Sequence, residues 1–449
     1  LNIWKEEKYR KLQGTYPVIS LSFAPVKEME NYLDMRRLMC RLIYEQFHQY
    51  RFLLQVDGLM DEKEKELFHA ISRTMEEDVA AMSLNMLSRL LMRHYGKKVI
   101  ILLDEYDTPM QEAYMKGYWG DIVAFIRNLF NATFKTNACL ERAILTGITR
   151  VSKESIFSDL NNLAVVTSTS AKYADSFGFT QKEVSESLRE YGLTDMEESV
   201  KDWYDGFTFG NKTDIYNPWS IINFLDEKKL ATYWANTSSN GLVGKLIREG
   251  SKELKVTMEN LLNGESLRTW IDEQIVYNQI DYNEDAIWSL LLASGYLKVE
   301  QHTFDEEAGK EEYVLKLTNK EVRLMFRRMI EGWFRNYSSA YNDFIKALLL
   351  DDKKAMNHYM NRVALATFSY FDVGNKPSEY AEPERFYHGF VLGLMVELSD
   401  RYVMTSNRES GFGRYDIILK PKAAAKNGSR KDGAAPDAII IEFKVHDPE

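Results

Sequence analysis

The sequence predicts an α/β protein of two or three domains, on the basis of three observations. A run of five apolar residues, 99–103, is followed at once by two acids and a helix start. From about residue 178 the apolar spacing becomes helical, and near residue 402 it becomes strand-like again. A chain of 449 residues is also too long for one hydrophobic core, because single cores stop growing at about 250–300 residues.

The first predicted domain, residues 1–177, alternates strands with helices. The segment "YPVISLSF", 16–23, alternates β-branched and aromatic residues, as strands do. The continuous run at 99–103 is typical of a strand buried on both faces of a parallel sheet. A second buried strand is predicted in "RAILTGITR", 142–150. This alternation favours an α/β sheet whose ligands lie at the carboxyl ends of the strands.

The second predicted domain, residues 178–337, is mainly helical. Pro218 in "YNPWSIINFL" is placed to begin a helix. A helix, a strand hairpin and another helix follow from "DAIWSLLLASGYLKVEQHT" to "EEYVLKLTNKEV", which predicts a winged-helix-like module. A generic α+β spacer explains the same pattern equally well. Helix starts are predicted here and earlier by four T-x-x-E/Q capping boxes, Thr108–Gln111, Thr180–Glu183, Thr194–Glu197 and Thr318–Glu321.

The third predicted domain, residues 338–449, returns to an α/β pattern. Helices to about residue 370 precede a long apolar-faced helix in "PERFYHGFVLGLMVELSDRY". Three strands are predicted after it, at 402–406, 414–420 and 438–445.

Composition limits the function classes. The chain is 45% hydrophobic and 13% aromatic, which fits a globular protein. Its net charge of -10 gives no chain-wide basic surface, so nucleic-acid binding requires a local patch. Cys40 and Cys139 are the only cysteines, as expected in a reducing cytoplasm. No apolar run reaches the length of about 18 residues that a membrane span needs, so a cytoplasmic protein without a membrane partner is predicted. The oligomeric state stays open.

Two acids, Asp104 and Glu105, directly follow the predicted strand at 99–103. Phosphate chemistry uses this arrangement, because one carboxylate holds Mg²⁺ through water and the next polarises the attacking water. The alternative is that these acids cap the next helix or stay solvated. A G-x-x-x-x-G-K-S/T phosphate loop is absent from the sequence. The nearest segment, "NGLVGKLI" at 240–247, has the wrong spacing and no preceding strand.

A second set of charges interrupts the predicted C-terminal strands. Glu442 and Lys444 share one face of their strand, because side chains alternate across a strand. Asp416 in "GRYDIILK" reaches the same place if its strand pairs beside them. Two carboxylates that bind Mg²⁺ and a lysine that orients water are what metal-dependent phosphodiester cleavage requires. The alternative is an exposed Glu–Lys pair of little energetic value.

Several segments together resemble a known family. "VIILLDEYDTP", "AILTGITRVSKESIFSDLNNL", "WYDGFTFG", "IYNPWSIINFL" and "YWANTSSN" are similar to the AAA-ATPase-like bacterial proteins that pair a P-loop domain with a C-terminal PD-(D/E)XK nuclease-like domain. The resemblance extends from about residue 16 to 445. In that family the phosphate-binding loop lies upstream of the strand that resembles "YPVISLSF". The resemblance therefore implies that the N-terminal Walker A segment is missing from this chain.

The resemblance also implies roles for individual residues. Asp104 and Glu105 match the Walker B pair, so Asp104 is expected to bind the cofactor Mg·ATP and Glu105 to be catalytic. Thr149 and Arg150 are placed to sense the γ-phosphate, although a plain salt bridge explains Arg150 as well. In the C-terminal domain the resemblance implies that Asp416 and Glu442 bind the metal, with Lys444 catalytic. It adds one more acid from the preceding helix, matched best by Glu384, with His388 one turn on and Glu397 as the rival.

Three hypotheses follow for function. The leading one is an ATPase coupled to an Mg²⁺-dependent nuclease, with DNA expected ahead of RNA as the partner. The runner-up is a nucleotide-switched regulatory protein whose nuclease-like domain binds without cutting, which the net charge of -10 mildly favours. The third is a scaffold in which both sites are degenerate, and the intact acids oppose it.

Overall fold

The computed structural model describes residues 2–135, 137–148, 163–237, 241–271, 280, 283–307, 309–334, 338–371, 382–410, 413–422 and 437–442. Helices and strands are mixed along these residues, which confirms the coarse prediction of an α/β chain. The chain divides into a first unit, Leu1–Thr167 with Ile271–Ser294, and a second unit, Ser168–Trp270 with Gly295–Glu449. The domain limits predicted at residues 177 and 337 stay predictions.

The helices of the described residues are, in chain order, α1 (Glu7–Arg10), α2 (Tyr32–Gln49), α3 (Glu62–Ala70), α4 (Glu77–Tyr95), α5 (Thr108–Lys116), α6 (Trp119–Phe130), α7 (Gln181–Glu190), α8 (Glu197–Tyr204), α9 (Pro218–Glu227), α10 (Gly241–Glu249), α11 (Lys252–Leu262), α12 (Asp285–Ala293), α13 (Lys320–Phe334), α14 (Ser338–Leu349), α15 (Lys353–Phe371) and α16 (Glu382–Leu398). The strands are β1 (Val18–Ser22), β2 (Val99–Asp104), β3 (Leu140–Leu145), β4 (Phe179–Thr180), β5 (Phe207–Phe209), β6 (Lys212–Tyr216), β7 (Leu267–Trp270), β8 (Leu297–Asp305), β9 (Lys310–Leu317), β10 (Tyr402–Ser410), β11 (Gly413–Pro421) and β12 (Ile439–Ile441).

The first unit contains a parallel sheet in the order β1-β2-β3, with β2 in the centre. Helix α2 contacts β1, and α4 contacts β2. Ile101 and Leu103 on β2 are buried, and so are Ile19 and Leu21, their partners on β1. The sheet therefore has a well-buried face, as the apolar run of β2 predicted.

The opposite face of this sheet is open. Leu102 is 36% exposed, Val18 37% and Ile144 51%. The prediction that the strand at 99–103 is buried on both faces is therefore wrong, and so is the prediction of a buried strand at 142–150, because no residue of β3 is buried. An apolar run shows that a strand avoids charge, but it does not show how many layers cover the strand. Asp104 is exposed and lies on this open face, because it alternates with Leu103.

Three predicted capping boxes are wrong, because another residue stands at the helix cap in each case: Asp107 before α5, Met196 before α8 and Asn319 before α13. Helix α5 begins at Thr108 itself, and the Thr108 hydroxyl donates to Glu105. A 3-10 turn, Thr194–Met196, delays the start of α8 to Glu197. The Thr318 hydroxyl donates to the carbonyl of Gly295. By contrast, the box at Thr180–Glu183 and the helix start at Pro218 are confirmed.

Glu321, the other member of the failed box at Thr318, is a buried anchor in the second unit. It is 1% exposed, and burial raises its pKa. Its carboxylate accepts hydrogen bonds from the Ser220 hydroxyl at 2.8 Å and from the backbone N–H of Tyr233 at 2.6 Å. These bonds join α13 to α9 and to the segment "YWAN". Burying this carboxylate without such donors would cost roughly several kcal/mol. The fold therefore depends on these hydrogen bonds.

The second unit contains three antiparallel sheets among its described strands, in the orders β4-β6-β5, β7-β9-β8 and β10-β11-β12. Helix α16 lies at its centre and packs against α11, α13, α15 and β10. Every residue of α16 from 388 to 396 is buried, so water reaches no side of the helix there.

Within the described part of the chain, no helix combines the length and the apolar composition that crossing a bilayer requires.

Candidate functional site

The carboxyl end of β2 is held by backbone hydrogen bonds on both sides. The Phe23 N–H donates to the Asp104 carbonyl at 2.9 Å, and the Thr146 N–H donates to the Leu103 carbonyl at 2.9 Å. The Tyr106 N–H then donates to the Thr146 carbonyl at 3.1 Å. Asp104 and Glu105 therefore stand at the carboxyl edge of the central strand, as predicted from the apolar run.

The Asp104 carboxylate is oriented by one hydroxyl. Thr146 Oγ1 donates to Asp104 Oδ1 at 2.6 Å, and both residues are exposed. The second oxygen, Oδ2, accepts no hydrogen bond from any residue that the structure describes. One oxygen of Asp104 is therefore fixed by β3's continuation, while the other is directed at solvent on the open face.

Glu105 has a special backbone conformation. Its φ of 49° lies in the left-handed region, which costs a non-glycine residue about 1 kcal/mol or more. Its carboxylate accepts a hydrogen bond from Thr108 Oγ1 at 2.9 Å and forms an ion pair with Lys27 Nζ at 3.4 Å. The strand therefore ends in a turn that places the glutamate carboxylate above the first turn of α5.

A third acid of the same segment, Asp107, is structural. It is 2% exposed, and its Oδ2 accepts the Ile148 N–H at 3.0 Å. A methyl group on Gly147 would lie 2.8 Å from the Tyr106 ring and 2.8 Å from Asp107 Cγ. Glycine is therefore required where the chain leaving β3 crosses the chain leaving β2.

The C-terminal sheet brings two of the predicted acids to one region of backbone. In the antiparallel pair of β11 and β12, Ile417 is opposite Ile441 and Leu419 is opposite Ile439. Asp416 precedes Ile417 in β11, and Glu442, which is exposed, follows Ile441. Continuing the register by one step would place Asp416 and Glu442 opposite each other, on the face of Ile440. The strand pairing on which the predicted site depends is therefore present.

Two protein-family models match the chain. The AAA-ATPase-like model, described as a predicted AAA-ATPase, matches residues 1–157. The model of the PD-(D/E)XK nuclease superfamily matches residues 382–449. The chain joins an AAA-ATPase-like domain to a PD-(D/E)XK nuclease superfamily domain. The resemblance seen in the sequence is confirmed. Domains of these two families use nucleotides and divalent metals in general.

A curated relative supports no finer statement. The uncharacterized protein in the vnfD 5' region of Azotobacter chroococcum mcd 1 is 24% identical over 230 residues. The aligned region covers 51% of this chain and 42% of that protein, so the chain spans less than half of the relative's length. No solved structure matches the chain.

Several predicted residues of the two domains have no described side chain. In the AAA-ATPase-like domain, Thr149 and Arg150 lie outside the described residues, which are interrupted after Ile148. In the nuclease superfamily domain, Lys444 lies outside them as well. Glu384 lies in α16 and Asp416 in β11, but their side chains are also outside the described part. The roles of these residues stay predictions.

The two residues predicted beside Glu384 differ in environment. His388 is 2% exposed, whereas Glu397 is exposed near the end of α16. Among the described residues, no three His, Cys, Asp or Glu side chains are grouped closely enough to hold a metal ion by themselves.

The AAA-ATPase-like domain nevertheless fits a magnesium ion that arrives with a nucleotide. Mg²⁺ keeps several waters and is commonly bound by one or two carboxylates together with substrate phosphates. Asp104, with one oxygen oriented by Thr146 and the other open to solvent, has the chemistry for this role. Sequence analysis missed Thr146, Asp107 and Lys27 as neighbours of the acids. Asp107 alone had a signal, since it is the third acid in "DEYDTP".

Between the two family matches, the segment "WYDGFTFG" contains a carboxyl group with an altered pKa. Burial, followed by the nearby Asp214 carboxylate, raises the pKa of Asp205 to about 6. Asp214 is paired with Lys201 Nζ at 3.0 Å, which lowers the pKa of Asp214. Asp205 is only half-buried, and it directly follows α8.

The raised pKa of Asp205 predicts that the folded state loses stability as the pH rises. Its folded pKa lies about two pKa units above the usual value of about 3.9, so the folded state binds more protons between these values. The associated stability is present below pH ~4 and is lost as pH rises through ~6. After allowance for solvent screening, the effect is about 1–2 kcal/mol. Urea unfolding of Asp205→Asn from pH 4 to 7 should lack this decline.

The matched control for that series is Asp226→Asn, which changes an exposed carboxylate of α9. This control should decline with pH as the unaltered protein does. Parallel pH profiles for Asp205→Asn and the unaltered protein would contradict the assignment.

Proposed function

We propose that the chain is an ATP-hydrolysing protein coupled to a Mg²⁺-dependent nuclease that acts on nucleic-acid phosphodiesters, DNA ahead of RNA. The observation that carries the ATPase half is the position of Asp104 and Glu105. Both stand at the carboxyl end of the central strand of a parallel sheet, within the residues that match the AAA-ATPase-like model. Ligands of open α/β sheets bind at this end of the strands.

The two acids have different proposed roles. Asp104 would hold the nucleotide-bound Mg²⁺ with the oxygen that Thr146 leaves open. Glu105 accepts a proton from the attacking water and orients it toward the γ-phosphate. When bound, Mg²⁺ supplies charge neutralisation at the phosphates. Thr149 and Arg150, which follow β3, are proposed to contact the γ-phosphate.

The nuclease half is carried by the C-terminal sheet. Asp416 and Glu442 are proposed to hold the metal, Lys444 to orient the water and Glu384 to add a further acid. The antiparallel register of β11 and β12 supports this proposal, because it places the backbones of Asp416 and Glu442 within one step of the last paired residues. Neighbouring strands lie about 4.8 Å apart, which is close enough for two carboxylates to share one ion.

The finer architecture is part of the same proposal. We assign a P-loop-type sheet to residues 1–177, a winged-helix-like region to 178–337 and a nuclease-type α/β fold to 338–449. The antiparallel order β7-β9-β8, with α13 after it, supports the middle assignment.

The proposal is tested by assaying the full-length protein for both activities. ATP should be hydrolysed in the presence of Mg²⁺, and labelled DNA or RNA should be cut with Mg²⁺ or Mn²⁺. Absence of nucleotide hydrolysis would remove the ATPase half, and absence of cutting would remove the nuclease half.

A second function, nucleotide-switched binding without cutting, has one observation in its favour. The net charge is -10, and the β8–β9 hairpin has three consecutive acids at its tip, Asp305 at the end of β8 and Glu306 and Glu307 in the turn, which would repel phosphates. Nucleic-acid binding without cleavage in the same assay would favour this function.

A further inference from the structure

A short segment beside the proposed ATPase site is bound to helix α5 and the residues after it. This segment, residues 27–31, follows the 3-10 turn Ala24–Val26 and precedes α2, and we refer to it as the strap. Three contacts hold it to α5 and the residues after: the Glu28 N–H donates to Glu112 Oε2 at 3.0 Å, Lys116 Nζ lies 2.5 Å from Glu30 Oε1, and the Tyr118 hydroxyl donates to the Met29 carbonyl at 2.8 Å.

The backbone of the strap contains one residue in a strained conformation. Glu28 has a φ of 67°, in the left-handed region, as does Glu105 with a φ of 49°. Non-glycine residues hold this conformation at a cost of about 1 kcal/mol or more, and only where surrounding contacts over-determine it. An ion pair connects the two strained sites, because Lys27, the residue before Glu28, pairs with the carboxylate of Glu105.

The contacts of Glu105 converge on one oxygen. Thr108 Oγ1, at 2.9 Å, and Lys27 Nζ, at 3.4 Å, both reach Oε2. Of the residues that the structure describes, none donates to Oε1. The terminal torsion of a glutamate is otherwise broad, so the Thr108 hydrogen bond and the Lys27 ion pair on Oε2 restrict it and leave Oε1 available. Oε1 is then the oxygen that meets the attacking water.

We propose that Lys27 is a positioning residue of the ATPase site and that the strap holds it in place. This inference rests on the proposed function of Glu105. A purely structural ion pair would be worth little here, because the Lys27 and Glu105 side chains are 51% and 37% exposed. Loss of the Lys27 charge should therefore leave the fold stable and change the orientation of the Glu105 carboxylate.

The first test compares steady-state ATP hydrolysis by full-length variants. Lys27→Met should lower kcat about 10-fold, which corresponds to ~1.4 kcal/mol, and change KM for ATP by less than about 2-fold. Lys27→Arg should recover most of kcat, because it restores a cation on Oε2. Glu112→Ala, which releases the strap at Glu28 without touching Glu105, should lower kcat by a smaller factor of about 3.

The matched control is Lys11→Met, since Lys11 forms an exposed ion pair with Glu7 at 2.9 Å in the same unit. It should behave as the unaltered protein does. If Glu105→Gln stops turnover while Lys27→Met matches the unaltered protein, the role of Lys27 is refuted and the proposed ATPase function stands. A rise in KM alone would also refute it.

A second measurement keeps the inference testable if the protein hydrolyses no ATP. Hydrogen exchange of the amides of residues 105–108 should be faster in Lys27→Met than in the unaltered protein, because Lys27 restrains this turn. Unchanged exchange there would overturn the inference without any appeal to activity.

Discussion

Replacing Glu105 by glutamine is expected to slow ATP turnover by about 10²-fold or more and to leave nucleotide binding intact. The amide keeps the shape of the side chain and can still meet Thr108, but it no longer accepts a proton from water. Asp104, which is proposed to hold the metal, is unchanged in this variant. Single-turnover hydrolysis and equilibrium ATP binding by the full-length protein measure the two effects separately.

Glu141→Gln is the matched control for this substitution. Glu141 is an exposed glutamate near the amino end of β3, at the opposite edge of the same sheet from Glu105. Turnover by this control should equal that of the unaltered protein. A Glu105→Gln variant with unchanged turnover would exclude Glu105 from the role of orienting water.

Substitution of Asp416 by asparagine or of Lys444 by alanine is expected to abolish Mg²⁺-dependent cleavage of nucleic acid. The first change removes a charged oxygen ligand from the proposed metal site, and the second removes the cation that orients water. Cleavage of labelled DNA and RNA with Mg²⁺ or Mn²⁺ measures the activity, and thermal unfolding shows whether each variant is folded.

Lys420→Ala is the control in this case, because Lys420 is an exposed lysine at the far end of β11. It should cut as the unaltered protein does. Equal cutting by Asp416→Asn and the unaltered protein would place the metal elsewhere. If the unaltered protein binds DNA or RNA but cuts neither, the regulatory function replaces the nuclease.

The local sequence pattern predicted strand β2 and the position of two acids at its carboxyl end, because both features depend only on neighbouring residues. Five apolar residues define the strand, Asp104 ends it, and Glu105 follows it directly. The partners of these acids, Thr146 and Lys27, come from distant parts of the chain. No period or motif in the sequence connects them to β2, so only the folded sheet shows which hydroxyl and which cation meet each carboxylate.

Capping boxes show the opposite failure, in which a good local signal is overridden. Thr108 and Thr318 both stand three residues before a Gln or Glu, yet their hydroxyls donate to Glu105 and to the Gly295 carbonyl. A cap is worth about 1 kcal/mol, and a competing hydrogen bond is worth a similar amount, whether it is local as at Thr108 or joins distant residues as at Thr318. Sequence alone therefore could not decide between them. The pairing of β11 with β12 was a condition of the predicted metal site that neither strand's sequence could establish, and only the folded sheet shows it.

The enclosure of α16 has a consequence for how the protein can be divided for study. A fragment that begins at residue 382 would begin with α16 but lack α11, α13 and α15, which cover it. Phe390, Leu394 and their buried neighbours would then face water, and such a surface promotes aggregation during expression. A fragment intended for nuclease assays should therefore begin before Lys252, so that the helices that cover α16 are included.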